Sequence, residues 1–277
     1  MSPNSKRPFP LRAPASILGC DRALIGMVHL LPLPSSPRSQ RPLREIAQHA
    51  VEEARLLARC GFDAILLENM HDAPYGLRGV DPETIAAFTR AACEVRQSIS
   101  LPLGVQVLSH ASRAALGIAL AADAAFIRTE GFVFASVADE GIRAEADARP
   151  LLSARRMMGA ECIAIFADIK KKHSSHAITA DTSLDEHAQA AEFFGADGVI
   201  VTGSATGIAT PIEDLALAKA ATPLIVLAGS GVTNATVRQT LATCDGAIVG
   251  SDLKVDGRWY NPIDAARAER LVSAARS

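Results

Sequence analysis

Short apolar runs alternate along this chain with longer segments whose apolar positions recur at helical spacing. The runs Ala23 to His29, Asp63 to Glu68, Leu103 to Leu108, Ala124 to Arg128, Cys162 to Asp168, Gly198 to Val201, Leu224 to Ala228 and Gly246 to Val249 read as strands. Between the first two, Leu43, Ile46, Ala47, Ala50, Val51, Ala54, Leu57 and Ala58 keep one helical face apolar. Further helices are expected after Asp81-Pro82, over about Ser112 to Ala122, around Leu151 to Gly159, and after a Ser183–Glu186 capping box. The last three start at Thr210-Pro211, near Asn234 with Thr233 as cap, and at Asn261-Pro262. Apolar strands that alternate with helices call for a parallel sheet covered on its faces. Closure into a single (β/α)8 barrel is the economical solution, with a doubly wound open sheet as the alternative.

The chain has 277 residues, close to the roughly 250 of one such barrel. No linker divides it, so residues 23–277 are assigned to the barrel and residues 1–22 to an arm and a short capping helix. That helix is expected near Ala15 to Gly19, where it can plug the barrel bottom. Residues 1–14 are basic and proline-rich but lack the apolar core of a secretory signal. Thr129 to Pro150 is the longest stretch without a regular pattern, and long ordered loops are often functional.

A formal net charge of −2 gives no basic field for nucleic acid. No apolar run reaches the roughly 18 residues of a membrane helix. Five scattered cysteines form no C-x-x-C pair and suit buried thiols in a reducing compartment, and a cytoplasmic homo-oligomer is expected.

Barrel chemistry collects at the carboxyl ends of strands. Here those ends give a polar ring above apolar strands: His29, Glu68-Asn69, Gln106, Arg128, Asp168, Thr202-Gly203, Gly229-Ser230 and Gly250-Ser251. The last two breaks, with Gly231, follow the seventh and eighth strands, the usual phosphate seat, where glycine lets backbone N–H groups approach an anion. They read as a phosphate cradle, assisted by Thr202 and Gly203.

Asp168 ends an apolar strand and should project into the mouth, where partial desolvation would suit it to acid–base work; an ion pair with Lys170 or Lys172 is the other reading. Lys172 and His173 lie just beyond, within reach of a phosphate or developing oxyanion. Glu68, Asp72, Asp139 and Glu140 add carboxylates, and His29 is a candidate imidazole. Glu68, Asp72 and Asp168 together are a candidate Mg²⁺ set, although the spacing matches no dedicated metal motif.

Several segments resemble the BtpA/SgcQ family. They are Ile25-Gly26-Met27-Val28-His29-Leu30 with Pro32-Leu33-Pro34, Glu68-Asn69-Met70-His71-Asp72-Ala73-Pro74-Tyr75, and Ala167-Asp168 with Lys172-His173. Val201 to Gly207, Gly229 to Val232, and Asp245 to Ser251 with Lys254 complete the match, which covers about Ala23 to the C-terminus. The resemblance implies a phosphate-binding (β/α)8 barrel. The family takes its name from a factor for photosystem I accumulation, and other members resemble proteins of sugar or nucleotide metabolism. Two departures add carboxylates: Arg128-Thr129-Glu130 stands where the family tends to read Arg-Val-Asn, and Asp139-Glu140-Gly141 where it reads Asp-Gln-Gly.

Two functions are thus expected. One is an enzyme acting on a phosphorylated small molecule, a sugar phosphate or a nucleotide, by isomerisation, lyase chemistry or glycosidic cleavage. Its phosphate would sit on Gly229 to Gly231 and Gly250-Ser251, with Asn69, Arg128 and His173 assisting. The reacting carbon would face Asp168, Glu68 and Asp139, with Lys172 and His29. The other is a non-catalytic assembly factor working through protein contacts.

Overall fold

A computed structural model describes residues 9–77, 79–203 and 205–277. Most of the predicted N-terminal arm, residues 1–8, lies outside them. The barrel strands are β1 (Ala23–His29), β2 (Ala64–Glu68), β3 (Leu103–Gln106) and β4 (Phe126–Thr129). A hairpin of β5 (Ser136–Ala138) and β6 (Gly141–Arg143) follows, then barrel strand β7 (Ala164–Ile169) and the short β8 (Ser174–Ser175). The last barrel strands are β9 (Gly198–Val201), β10 (Ile225–Ala228) and β11 (Gly246–Val249). The barrel closes in the order β1-β11-β10-β9-β7-β4-β3-β2, every neighbouring pair parallel. This is the (β/α)8 architecture expected from the strand–helix alternation.

The helices are α1 (Pro14–Leu18), α2 (Leu43–Cys60), α3 (Pro82–Ser98), α4 (Ser112–Ala121), α5 (Ala148–Met157), α6 (Leu184–Phe193), α7 (Ile212–Ala221), α8 (Val237–Thr243) and α9 (Ala265–Arg276). The long α2 buries Ile46, Ala47, Ala50, Ala54 and Leu57, the stripe read from its spacing, and ends where Gly61 takes the left-handed conformation of a C-terminal cap. The Ser183–Glu186 capping box forms as expected.

Two apolar cores result. One fills the space between sheet and helices; the other lies inside the barrel, with Ile25, Met27, Leu66, Phe126, Phe166, Ile200 and Ile248 among its members. Ile17 and Leu18 of α1 join the inner core. Small residues make room for large ones: a Cβ at Gly104 would overlap the Phe126 ring, and one at Gly198 the Phe166 ring.

Several boundaries differ from the sequence reading. The stretch Thr129 to Pro150 is not irregular, because β5 and β6 pair there and β8 adds to β5, making a small antiparallel sheet beside the mouth. The final helix opens at Ala265, capped by Asp264, and not at Asn261-Pro262. Helix α8 begins at Val237, so the Thr233 hydroxyl faces the Thr236 hydroxyl and caps nothing. Thr210 likewise turns its hydroxyl to the carbonyls of Val201 and Ser230 instead of to a helix end. Of the cysteines, only Cys244 is buried. Among the described residues, no helix is long and apolar enough to cross a membrane.

Candidate active site

Strand alternation decides which strand-end residues enter the mouth. Ala23, Ile25 and Met27 of β1 face the inner core, so His29 does too; Ala64 and Leu66 of β2 carry Glu68 inward in the same way. The same parity brings Gln106, Arg128, Asp168, Thr202, Gly229 and Gly250 to the top layer of the barrel. Asn69, Gly203, Ser230 and Ser251 are their outward or upward neighbours. A cavity of about 210 Å³ opens above this layer. His29, Glu68, Arg128 and Lys172 line it together with Gly229 to Thr233 and Gly250 to Asp252.

His29 and Glu68 are register partners on β1 and β2, both buried, with Nε2 and Oε2 3.5 Å apart. The Trp259 carbonyl lies 3.1 Å from His29 Nδ1, so the ring carries its proton there and turns an unprotonated Nε2 toward Glu68. Burial, reinforced by the charge of Lys254, holds the His29 pKa well below the ordinary histidine range. Burial pushes the Glu68 carboxyl up, against the lowering effect of Arg128 and Lys172. A neutral imidazole beside a carboxyl of raised pKa is a proton-transfer pair.

Asp168 pairs with neither Lys170 nor Lys172. Its two oxygens accept from Arg128 Nε and Nη2, both at 2.9 Å, and its carboxylate is fully buried. Lys170 donates instead to the Thr182 carbonyl. Asp168 therefore orients Arg128. Lys172 lines the cavity, and its ammonium makes no salt bridge or hydrogen bond among the described residues. Burial, then the Arg128 charge, pulls its pKa below the usual lysine range.

The cradle is narrower than the sequence suggested. Ser230 Oγ accepts from Gly203 N–H at 2.7 Å and donates to the Ile208 carbonyl at 3.0 Å. The Thr202 hydroxyl accepts from Lys172 N–H, and Gly229 N–H is spent on the Val201 carbonyl. Thr202, Gly203 and the Ser230 side chain thus fasten the loops after β7, β9 and β10 to one another. The N–H groups of Gly231, Val232 and Ser251 donate to no protein acceptor among the described residues and remain for an anion. Gly231 has φ +64°, and a Cβ there would strike Ala209, so this close turn requires glycine. At Gly250 a Cβ would have room, 3.5 Å from Met27 and 3.6 Å from His29, and would occupy the cavity wall.

Other candidates lie elsewhere. Asn69 spends its amide on Leu108 and Asp72, and Asp72 accepts from Leu33 N–H and Asn69; neither lines the cavity. Asp139 is exposed in the hairpin turn between β5 and β6, away from the cavity lining. His173 is exposed on the rim, its Nε2 accepting from Thr206 N–H at 3.1 Å. Of the expected Mg²⁺ set, Glu68 faces His29, Asp72 accepts from Leu33 N–H and Asn69, and Asp168 accepts from Arg128. Among the described residues, no three His, Cys, Asp or Glu side chains form a metal-binding group.

The structure adds residues that sequence reasoning left out of the site. Glu130, buried beyond Arg128, stands 3.2 Å from Lys171 Nζ and 3.5 Å from His110 Nδ1. Burial raises its pKa, but the charges of Lys171, His110 and Arg128 bring it below the ordinary value. Its position two residues beyond the inward-facing Arg128 is the signal that could have found it. Trp259 acts through its carbonyl, which no side-chain pattern reveals. The buried Lys254 ammonium grips both oxygens of Glu53 on α2, at 3.0 and 2.9 Å, and so anchors the segment that carries Trp259.

A sequence-family model described as the BtpA family matches residues 20–277. A protein of Archaeoglobus fulgidus is 41% identical over 92% of this chain and 99% of its own. A mitochondrial protein of Caenorhabditis elegans is 39% identical over 93% of this chain and 95% of its own. The photosystem I biogenesis protein BtpA of Synechocystis is 35% identical over 91% and 87%. Among solved structures, the (S)-3-O-geranylgeranylglyceryl phosphate synthase of Thermoplasma acidophilum, in complex with sn-glycerol-1-phosphate, superposes with TM-score 0.59 at 13% identity, covering 95% of this chain and 96% of the other. The thiamine phosphate pyrophosphorylase of Pyrococcus furiosus gives 0.55 at 17%, covering 92% and 96%. These structural likenesses establish the barrel fold.

Proposed function

The chain belongs to the BtpA family, and from that premise and the geometry of the mouth we propose that it is an enzyme acting on a phosphorylated small molecule, a sugar phosphate or a nucleotide. The observation that carries the reading is the His29–Glu68 pair lining the same cavity as Gly231, Val232 and Ser251, whose N–H groups have no protein acceptor among the described residues. A phosphate on those groups would present the rest of the substrate to the pair. Glu68 would exchange the proton, with neutral His29 accepting through Nε2, in isomerisation, lyase chemistry or glycosidic cleavage. Arg128, fixed by Asp168, and Lys172, with its unpaired ammonium, would stabilise negative charge as it develops. Barrel neighbours named for phosphate compounds lend the reading support. The assembly-factor alternative rests on the name of one relative.

The same proposal includes a cytoplasmic, homo-oligomeric protein. The test is a screen of sugar phosphates and nucleotides for turnover. A hit should lose turnover in Glu68→Gln while that variant still gains thermal stability from the compound. Full turnover in Glu68→Gln would remove Glu68 as the acid–base group.

A further inference from the structure

Three lysines follow β7 in succession, and the fold spends two of them. Lys170 donates to the Thr182 carbonyl, and Lys171 Nζ stands 3.2 Å from Glu130. Lys172 differs. Its backbone N–H donates to the Thr202 hydroxyl at 2.9 Å, and its side chain lines the mouth cavity with no hydrogen bond or salt bridge among the described residues. The buried cations Arg128 and Lys254 are each matched with a carboxylate, Asp168 and Glu53.

The Lys172 charge is felt at both His29 and Glu68, lowering the pKa of each, so the end of the side chain stands within range of the proton-transfer pair. Arg128 is also close enough to disfavour a second positive charge. A lysine desolvated beside another cation gives up its proton and becomes a nucleophile toward carbonyl carbon. Such a reaction also needs a group that carries protons to and from the carbonyl oxygen. The Glu68 carboxyl, raised in pKa by burial, supplies it in the same cavity.

We propose that Lys172 is a catalytic nucleophile, and that the substrate is a phosphorylated aldehyde or ketone whose carbonyl carbon it captures as an imine. The inference rests on the reading of the mouth as the seat of a phosphorylated compound and narrows the class of that compound. The neutral Nζ attacks the carbonyl carbon, and the C=O π pair moves to oxygen. One proton then passes from nitrogen to that oxygen through Glu68, giving a carbinolamine. Glu68 next gives its own proton to the hydroxyl, which leaves as water with the C–O pair, while the nitrogen lone pair closes the C=N bond. The products are a cationic imine, water and the Glu68 carboxylate. That cation draws in the electron pair of a neighbouring C–H or C–C bond. It serves isomerisation and lyase chemistry but not glycosidic cleavage, where the substrate has no free carbonyl.

The test is reductive trapping on the full chain. Dihydroxyacetone phosphate, glyceraldehyde 3-phosphate and ribose 5-phosphate are each titrated by calorimetry, then incubated with the chain and sodium cyanoborohydride, and adducts are mapped by peptide mass spectrometry. At least one compound should bind, and should label Lys172 at least about tenfold faster than the exposed Lys219, which Asp245 holds. Lys172→Arg should keep the binding and lose that adduct from the intact mass. Gly250→Asp should weaken both binding and labelling at least about tenfold. Binding that Gly250→Asp abolishes, with no adduct at Lys172, overturns this proposal and leaves the phosphate reading standing. Labelling of Lys172 that proceeds equally with dihydroxyacetone and in Gly250→Asp supports the nucleophile and removes the phosphate seat. If no compound binds or labels, the proposal falls together with the substrate class.

Discussion

The Trp259 carbonyl, 3.1 Å from Nδ1 of His29, decides which ring nitrogen faces Glu68. Nitrogen-15 NMR should therefore find His29 as the Nδ1–H tautomer, and still neutral at pH values where an ordinary histidine has taken its second proton. An Nε2–H tautomer, or titration near 6.5, would contradict the proton-transfer pair.

Gly250→Asp should place a carboxylate in the cradle without crowding the fold, because its Cβ has open space beside Met27 and His29. A phosphorylated ligand at about 100 times its dissociation constant stabilises the wild-type chain by roughly 2.7 kcal/mol. In the variant that gain should vanish while the unliganded melting temperature stays within a few degrees. A retained ligand shift would move the phosphate seat elsewhere.

Asp168→Asn should be a stability variant before it is a catalytic one. It leaves the buried Arg128 guanidinium without its counter-charge, and breaking such a pair costs on the order of 3–5 kcal/mol. Urea unfolding measures this directly, and a loss below about 1 kcal/mol would mean that the pair is not buried as described.

Acid should destabilise the fold partly through His187, buried against Phe134 with Nε2 3.0 Å from the Thr182 hydroxyl. Burial, then the Lys170 charge, lowers its pKa to about 4. Between about 6.5 and about 4 the unfolded chain takes up a proton that the folded chain refuses, so stability falls as pH falls through that window. His187→Gln should reduce the stability lost between pH 7.5 and pH 5 by on the order of 1–2 kcal/mol. An identical loss in both proteins would exclude His187 as a contributor.

The strand pattern carried the barrel into view because each strand is a short apolar run between helical stripes, and burial on both faces leaves few other arrangements. The mouth was legible only as pairs of adjacent residues. Alternation then separates Glu68 from Asn69, and Thr202 from Gly203, once one inward residue per strand is known. What the sequence could not display was how polar groups are spent. Asn69 and Ser230 look like ligand-binding residues but are consumed by Leu108, Gly203 and Ile208. Asp139 looked central because a hairpin has no clear signature in a stretch as short as Ser136 to Arg143.

The β1–β11 ladder joins the first barrel strand to the last, and His29 donates its Nδ1–H to the carbonyl of a residue 230 positions later. During synthesis, the proton-transfer pair can therefore be set only after nearly the whole chain has left the ribosome. Any product stopped before Trp259 would lack the carbonyl that fixes His29. One stopped before β11 would also expose the free edges of β1 and β10, so incomplete chains should be open to pairing with other strands and to degradation.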